Sequence, residues 1–369
     1  MPYALPVLMY HSISNAKHYL CVSPERFEEH CRALAEAGWR GISLAEAEAY
    51  FLKKKKLPAK TCLLTFDDGY FDNYTHAEPL LRRYGHHGVI FPVVNMLENS
   101  KTLRPNIETA NTDPGKATQL AKLLQRRQEM RMGRKVAKIT FCSWLELSHM
   151  GKEGNMDAAP HSLGHDRVVV NLDIKHLYKP KAGNGFFAVP PYEVPYGFPI
   201  FQLGHALEDR AYKLSPKIFD LVRGMVPQQM DEAVAYLNNP ANCEAVIRAV
   251  NALPSLAIRE SEGEYRQRIA NDFTRCRELF MEKLGITPVS FCWPWGGYNK
   301  TALEEARKAG FRLFFATGGK PSFLSTANAV SRIAIRDHSA EQLLQKLRFA
   351  SGNVVEGVGG WLRALPGRA

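Results

Sequence analysis

A chain of 369 residues that is 45% hydrophobic and 23% charged carries enough apolar material for a full core, which excludes disordered, coiled-coil and fibrous classes. Its formal charge of +11 and pI near 9.3 favour an anionic contact: nucleic acid, an acidic membrane surface or an acidic glycan. Seven scattered cysteines with no Cys-x-x-Cys pair argue against a disulfide framework or a zinc ribbon and for a reducing compartment.

In chain order, residues 1–11 have no basic n-region and no small-residue cleavage site, so 5–10 read as a first strand and not as a secretion signal. No window approaches the roughly 18 uninterrupted apolar residues of a membrane span, and the expected location is the cytoplasm. Ser23 ahead of Pro24 marks a helix start; Phe27, Cys31, Leu34 and Ala35 recur at helical spacing, and Gly38 closes the element. The basic run Lys53 to Lys56 reads as a solvated helix end that complements the dipole. Residues 61–66 form a second apolar strand. After them come helix at 77–84, strand at 88–94, helix at 144–150, helix at 265–284, strand at 289–293, helix at 301–309 and strand at 311–317.

This alternation implies a parallel α/β architecture with too few units for an eightfold barrel and enough for one of about seven. The expected organisation is a single catalytic domain over 1–369 with two insertions. The first, about 100–136, is polar and basic. The second, about 168–260, opens with a proline-rich aromatic loop and continues as helices. Within it Tyr192, Tyr196, Phe198 and Phe201 suggest a stiff aromatic lid or a dimer contact. Tyr178 to Lys181 and Arg210 to Lys213 suggest contacts to phosphate on an acidic saccharide.

Two motifs carry chemistry. Thr65-Phe66-Asp67-Asp68-Gly69-Tyr70 directly follows a buried strand; adjacent carboxylates at the carboxyl end of a parallel strand need a cation or a shared proton to relieve their repulsion. Asp-Asp-Gly is also a common surface turn. His161-Ser162-Leu163-Gly164-His165 places two imidazoles four residues apart, where either a helical turn or a compact loop converges them on one ion. Two histidines and one carboxylate form a frequent catalytic metal set that leaves positions open for water and substrate. Together the two motifs favour metal binding.

With these residues in view the chain resembles the polysaccharide deacetylases (the NodB-homology domain of carbohydrate esterase family four). Residues 65–69 look like the first family motif and 161–165 like the second. The opening Pro6-Val7-Leu8-Met9-Tyr10-His11-Ser12-Ile13 is similar to the branch of biofilm poly-N-acetylglucosamine deacetylases, as is Phe291-Cys292-Trp293-Pro294-Trp295-Gly296-Gly297-Tyr298-Asn299. The resemblance implies a distorted (β/α)7 barrel. It also implies a zinc, cobalt or nickel ion on Asp68, His161 and His165, with Asp67 as general base in hydrolysing an N-acetyl group from an amino sugar. A backbone N–H beside Tyr70 would hold the oxyanion, and Ser162 would brace the histidine loop.

The chain departs from the family pattern at two points. Cys292 stands where the commonest third motif has an arginine that orients the base, and Arg332 is the candidate substitute. The usual Leu-x-His that supplies the acid is not cleanly present; His338 is the nearest equivalent, and His11 is a second imidazole that could face the site. Trp293, Pro294 and Trp295 are candidate walls of a sugar groove. The expected partner is an amino-sugar glycan or glycolipid of the cell envelope, such as a lipid-linked or lipopolysaccharide precursor, and not nucleic acid. The basic charge suits an anionic membrane at the inner face, and an oligomer is compatible. The alternatives are an N-deformylase, a glycosyltransferase with a diphosphate on Asp67 and Asp68, and a non-catalytic glycan-binding relative.

Overall fold

A computed structural model of the protein describes residues 4–131, 141–179, 194–317 and 325–351. Tyr192, Pro180, Lys181 and the end of the first basic stretch lie outside these residues.

The eight residues Thr61–Asp68 form a strand that is buried throughout. It is flanked in parallel by Val7–Tyr10, with Leu8 opposite Leu64, and by Gly88–Pro92, with Leu64 opposite Gly88. A strand covered on both faces reads as a continuous apolar run, which Thr-Cys-Leu-Leu-Thr-Phe is. Ile333–Ala334 and Met156–Ala158 extend the sheet on either side, also in parallel.

Hydrogen bonds beyond the regular ladders carry the ring around. Cys292 N–H donates to the Pro160 carbonyl at 3.0 Å, which joins the sheet to the parallel pair Ser290–Cys292 and Leu313–Phe315. Val330 N–H donates to the Phe314 carbonyl at 2.8 Å and leads into Ile333–Ala334, whose neighbour is the first strand. Seven parallel strands therefore follow one another in a circle, as expected for a distorted (β/α)7 barrel.

The helices outside the barrel form where capping and periodicity call for them. Pro24–Glu36 starts at Ser23, whose Oγ accepts from Arg26 N–H at 3.1 Å, and it buries Phe27, Cys31 and Leu34. Each such side chain contributes roughly 1.5–3 kcal/mol on burial. Glu262–Leu284 opens with the reciprocal Ser261–Glu264 cap and ends at left-handed Gly285. The helix expected over 77–84 differs: a wide π turn, Asn73–Ala77, precedes Glu78–Arg83. This widened turn sits just beyond the Asp67–Asp68 strand end, where buried Asp72 and Asn73 bond Ser12 and the His11 carbonyl.

Residues 167–259 build a body with its own core. A long antiparallel hairpin, Arg167–Leu177 with Pro199–His205, leads to three helices, Lys217–Met225, Met230–Asn238 and Pro240–Asn251. Tyr196, Phe198 and Phe201 are buried in this body. They do not form an exposed surface, because all three are buried, and the three helices pack over the hairpin and take the Tyr196 and Phe198 rings into their core. Nor are Arg210 and Lys213 free for phosphate: Arg210 donates to the Glu260 carbonyl, and Lys213 pairs with Glu264 at 2.7 Å. Lys53 closes the Leu44–Lys53 helix and Lys54 takes its left-handed cap, with φ 57°, so the lysine run is an exposed helix end.

Candidate metal centre

The Thr61–Asp68 strand delivers Asp67 and Asp68 to the carboxyl rim of the barrel, and both are buried. Alternation along the strand points the two carboxylates differently. Asp68 adopts φ 70° and Gly69 follows at φ 80°. A Cβ on Gly69 would stand 2.7 Å from Pro92 Cβ, so only glycine fits between the two strand ends.

The histidine loop lies across the same rim. His161 N–H donates to the Pro92 carbonyl at 3.0 Å, and Val94 and Asn95 N–H donate to the carbonyls of Ser162 and Leu163. Ser162 Oγ accepts from His165 N–H at 2.8 Å, bracing the loop without facing a reacting atom. His161 Nδ1 lies 2.9 Å from the Cys292 carbonyl. A carbonyl only accepts, so Nδ1 carries the proton and the Nε2 lone pair is free. That Nε2 and His165 Nε2 each stand 3.7 Å from Asp68 Oδ1. One donor atom from each of the three residues falls within a 4.8 Å cluster.

Such spacing suits atoms that each bind one ion at roughly 2 Å. Burial lowers the pKa of both imidazoles and keeps them neutral, as metal ligation requires. The three side chains therefore fit a divalent zinc-, cobalt- or nickel-like ion.

Beside them, Asp67 receives Arg332 in a two-point contact, Nη1 to Oδ1 at 2.6 Å and Nη2 to Oδ2 at 2.8 Å. Burial opposes ionisation of Asp67, but the Arg332 charge and its hydrogen bonds outweigh that opposition and hold the carboxyl well below the usual carboxylate range. The arginine that the third motif lacks is thus supplied from after the Leu313–Phe315 strand, and Cys292 Sγ lies 3.8 Å from Asp67 Oδ1 in the space left over.

His11 Nε2 is 3.9 Å from Asp67 Oδ2, with its pKa pushed down to about 4 by burial against the pull of the Asp67 charge. His338 takes no place in the cluster. Its Nδ1 accepts from Arg336 N–H and its carbonyl bonds His30, so it packs against the first helix, with no hydrogen bond or ion pair to Asp67 or the three ligands.

Of the three groove candidates, Trp293 is a core residue. It is fully buried, stacked between Tyr298 and Phe314 and flanked by Phe273 and Phe291, because its position next to the barrel strand points it inward. Pro294 is buried but lines a cleft beside the histidine loop. Trp295 is 37% exposed, adopts φ 58°, and holds its ring 4.8 Å from His165. Tyr70 is buried, and its ring stacks on Phe141.

Three features escaped the sequence reading. The Ser12–Asp72–Asn73 network, with Ser12 Oγ donating to Asp72 at 2.6 Å, fixes the strand end that carries His11. Cys292 Sγ lies against the Asp67 carboxylate. Asp272, on the Glu262–Leu284 helix, accepts from Leu163 N–H with both oxygens at 3.1 Å, midway between the two histidines. Its signal was present: a carboxylate within the apolar stripe of Ile269, Phe273, Cys276 and Phe280.

Comparison with known proteins agrees with this arrangement. The family model described as polysaccharide deacetylase matches residues 54–180 and 253–314, together just over half of the chain. Bacillus subtilis YxkH is 42% identical over 92 residues, 25% of this chain and 33% of YxkH. The Escherichia coli poly-beta-1,6-N-acetyl-D-glucosamine N-deacetylase is 20% identical over 332 residues, 90% of this chain and 36% of its own. The chain spans about a third of the length of these curated relatives. Among solved structures, a de-N-acetylase from Aggregatibacter actinomycetemcomitans superposes with a TM-score of 0.58 at 20% identity, covering 93% of this chain and 98% of that one. The BpsB deacetylase domain from Bordetella bronchiseptica does so with 0.53 at 19%, covering 91% and 97%. At such identities these two matches speak for the fold.

Proposed function

The chain belongs to the polysaccharide deacetylase family, and from that premise we propose that it hydrolyses the N-acetyl group of an amino-sugar residue with a divalent ion on Asp68, His161 and His165. The observation that carries the proposal is the pairing of that buried ligand cluster with an ionised carboxylate, Asp67, held by Arg332.

When bound, the ion would polarise the amide carbonyl and acidify a water molecule. Asp67 is ionised at any working pH and accepts the proton of the water that attacks the acyl carbon. Arg332 fixes both oxygens of Asp67 and keeps the carboxylate from turning toward Asp68. As the C–N bond breaks, the same proton passes to the leaving nitrogen, and neutral His11, beside Asp67 Oδ2, is placed to relay it. The products are acetate and a free amine.

The finer substrate is a cell-envelope glycan or its lipid-linked precursor. Support comes from the charge of +11, which suits an anionic membrane-associated substrate, and from the poly-N-acetylglucosamine named for the Escherichia coli relative. We place the reaction in a reducing compartment, on the cytoplasmic side, because all seven cysteines are free. Fractionation of the native protein tests that placement, and recovery outside the cytoplasmic membrane would refute it.

The central experiment measures acetate and formate release from a panel of N-acylated amino sugars supplied with zinc, cobalt or nickel. Activity should vanish with a chelator. Asp67→Asn should lower turnover by about 10²–10⁴-fold while leaving bound metal in place. Turnover that persists under chelation would overturn the assignment.

A further inference from the structure

The inserted body reaches the metal centre through one indole. The Trp295 ring lies 4.8 Å from His165 at 60°, and His165 in turn lies 4.8 Å from His161 at 57°. The same indole meets His205, the last residue of the inserted strand Pro199–His205, at 5.9 Å and 10°, an offset stack. Arg167, the cross-strand partner of His205, holds its guanidinium 5.6 Å from that ring. Four rings, His161, His165, Trp295 and His205, therefore run in series from the candidate ligands into the insertion.

Both ends of this series are fixed. His205 Nδ1 pairs with Glu208 at 3.1 Å, and the N–H groups of Glu208 and Asp209 donate back to the His205 carbonyl. The turn that follows is fastened to the barrel: the Tyr265 hydroxyl donates to the Leu207 carbonyl at 2.8 Å, and Asn299 Nδ2 donates to the Glu208 carbonyl. On the barrel side Trp295 adopts φ 58°, a conformation that a bulky residue keeps only where its surroundings hold it. Gly297 shows how closely the two sides meet. Its backbone, at φ −85° and ψ 127°, is one that any residue adopts, yet a Cβ there would strike His205 Nδ1 and Glu208 Oε2. The absent side chain makes room for the inserted pair.

We propose that the insertion takes part in metal binding: His205, fixed by Glu208, is a positioning residue that holds the Trp295 indole against the ligand His165. An imidazole binds a metal along a lone pair in its ring plane, so a neighbour that limits rotation of the ring raises the fraction of time the donor atom faces the ion. The inference rests on the reading of Asp68, His161 and His165 as metal ligands. It adds that the strength of this site depends on residues about 40 positions further along the chain, in a body with a separate core.

The test titrates the full-length, metal-free protein with cobalt or zinc and follows indole emission. Each protein is read against its Trp295→Phe counterpart, which isolates this indole among the chain's five tryptophans. Cobalt should quench Trp295 in the wild type. His205→Ala should weaken both ions about tenfold or more, and should raise collisional quenching of Trp295 by acrylamide before any metal is added. His205→Phe keeps a stacking ring and should recover most of the affinity. Gly297→Ala acts from the barrel side by displacing the pair, and should weaken binding as His205→Ala does; thermal midpoints verify folding of all variants. Wild-type affinity in both His205→Ala and Gly297→Ala would overturn the inference. So would a His205→Phe variant that binds as weakly as His205→Ala. Failure of the metal reading looks different: the wild type would bind neither ion, or Asp68→Ala would bind them as tightly as the wild type does.

Discussion

The barrel rim and the inserted body bury opposite kinds of residue. At the rim, Asp67, Asp68, Asp72, Asn73, His161, Ser162, His165 and Arg332 are all buried. Four of the six non-glycine residues at positive φ among the described residues, Asp68, Ser162, His165 and Trp295, lie there too. Between 167 and 259 no described polar or charged residue is buried, and none at positive φ departs from glycine. Each strained residue costs on the order of 1–3 kcal/mol, and each buried polar group must find a partner or add to the cost. The rim bears these costs where the candidate metal-binding side chains converge. The insertion, held by Leu177, Phe198, Ile218, Val222, Val246 and Val250, stabilises a wall and carries its polar chemistry only where it meets the rim.

If this division is right, mutations in the two regions should fail in different ways. Asp68→Ala should remove metal binding and lower activity on the order of a thousandfold or more, with the folded chain still present by circular dichroism. Normal metal content in that variant, measured by elemental analysis, would break the comparison at once. Phe198→Ala should do the reverse. Its ring, 4.6 Å from Phe219 and 1% exposed, is worth about 3–5 kcal/mol when truncated, whereas metal affinity should stay within the wild-type range. Urea denaturation beside a metal titration reads both quantities.

Acid should sharpen the contrast. Burial lowers the pKa of His11 to about 4 from 6.5, so between these values the unfolded chain takes up a proton that the folded chain refuses. Stability therefore falls as pH drops through that window, and the loss from this group is complete below the folded value, at up to about 3 kcal/mol. The loss of unfolding free energy between pH 7 and pH 4 should be smaller in His11→Asn than in the wild type, both measured with a chelator present. Equal losses would mean that His11 is not held neutral beside Asp67.

The same division explains what could be read in advance. Asp67-Asp68-Gly69 and His161-x-x-x-His165 were legible as candidate motifs because each is compact in sequence and its residue types have few reasons to be together, and the structure brings Asp68, His161 and His165 into one cluster. Strand and helix alternation gave the parallel barrel for a similar reason, since period and length report burial directly. Arg332 was legible only as compensation for the missing arginine at Cys292. Aromatic residues were where the reading failed: Trp293, Tyr196, Phe198 and Phe201 are equally suited to a groove and to a buried position, and only the packed structure, Trp293 against Phe314 and Tyr196 and Phe198 against the inserted helices, decides between them. His338 failed because distance to the metal ligands is set by where the loop after Ile333–Ala334 turns, toward His30, which no local pattern encodes.

The smallest predicted effect tests whether the rim's rigidity reaches below its surface. Asp272 meets the histidine loop at Leu163 N–H alone, from a helix that otherwise packs apolar residues, and burial raises its pKa to about 7. Asp272→Ala would leave that N–H unsatisfied, at about 1–3 kcal/mol, and would free the segment between the ligands to relax from its positive-φ conformations. Metal affinity should fall by about 10–100-fold, the usual scale for losing a group that orients ligands. Asp272→Asn keeps an acceptor in the same place and should recover most of the affinity. If both variants bound metal as weakly as each other, the carboxylate's charge rather than its hydrogen bond would be the stabilising element. If neither lost affinity, the loop would be held by Ser162 and the strand carbonyls without help from the helix.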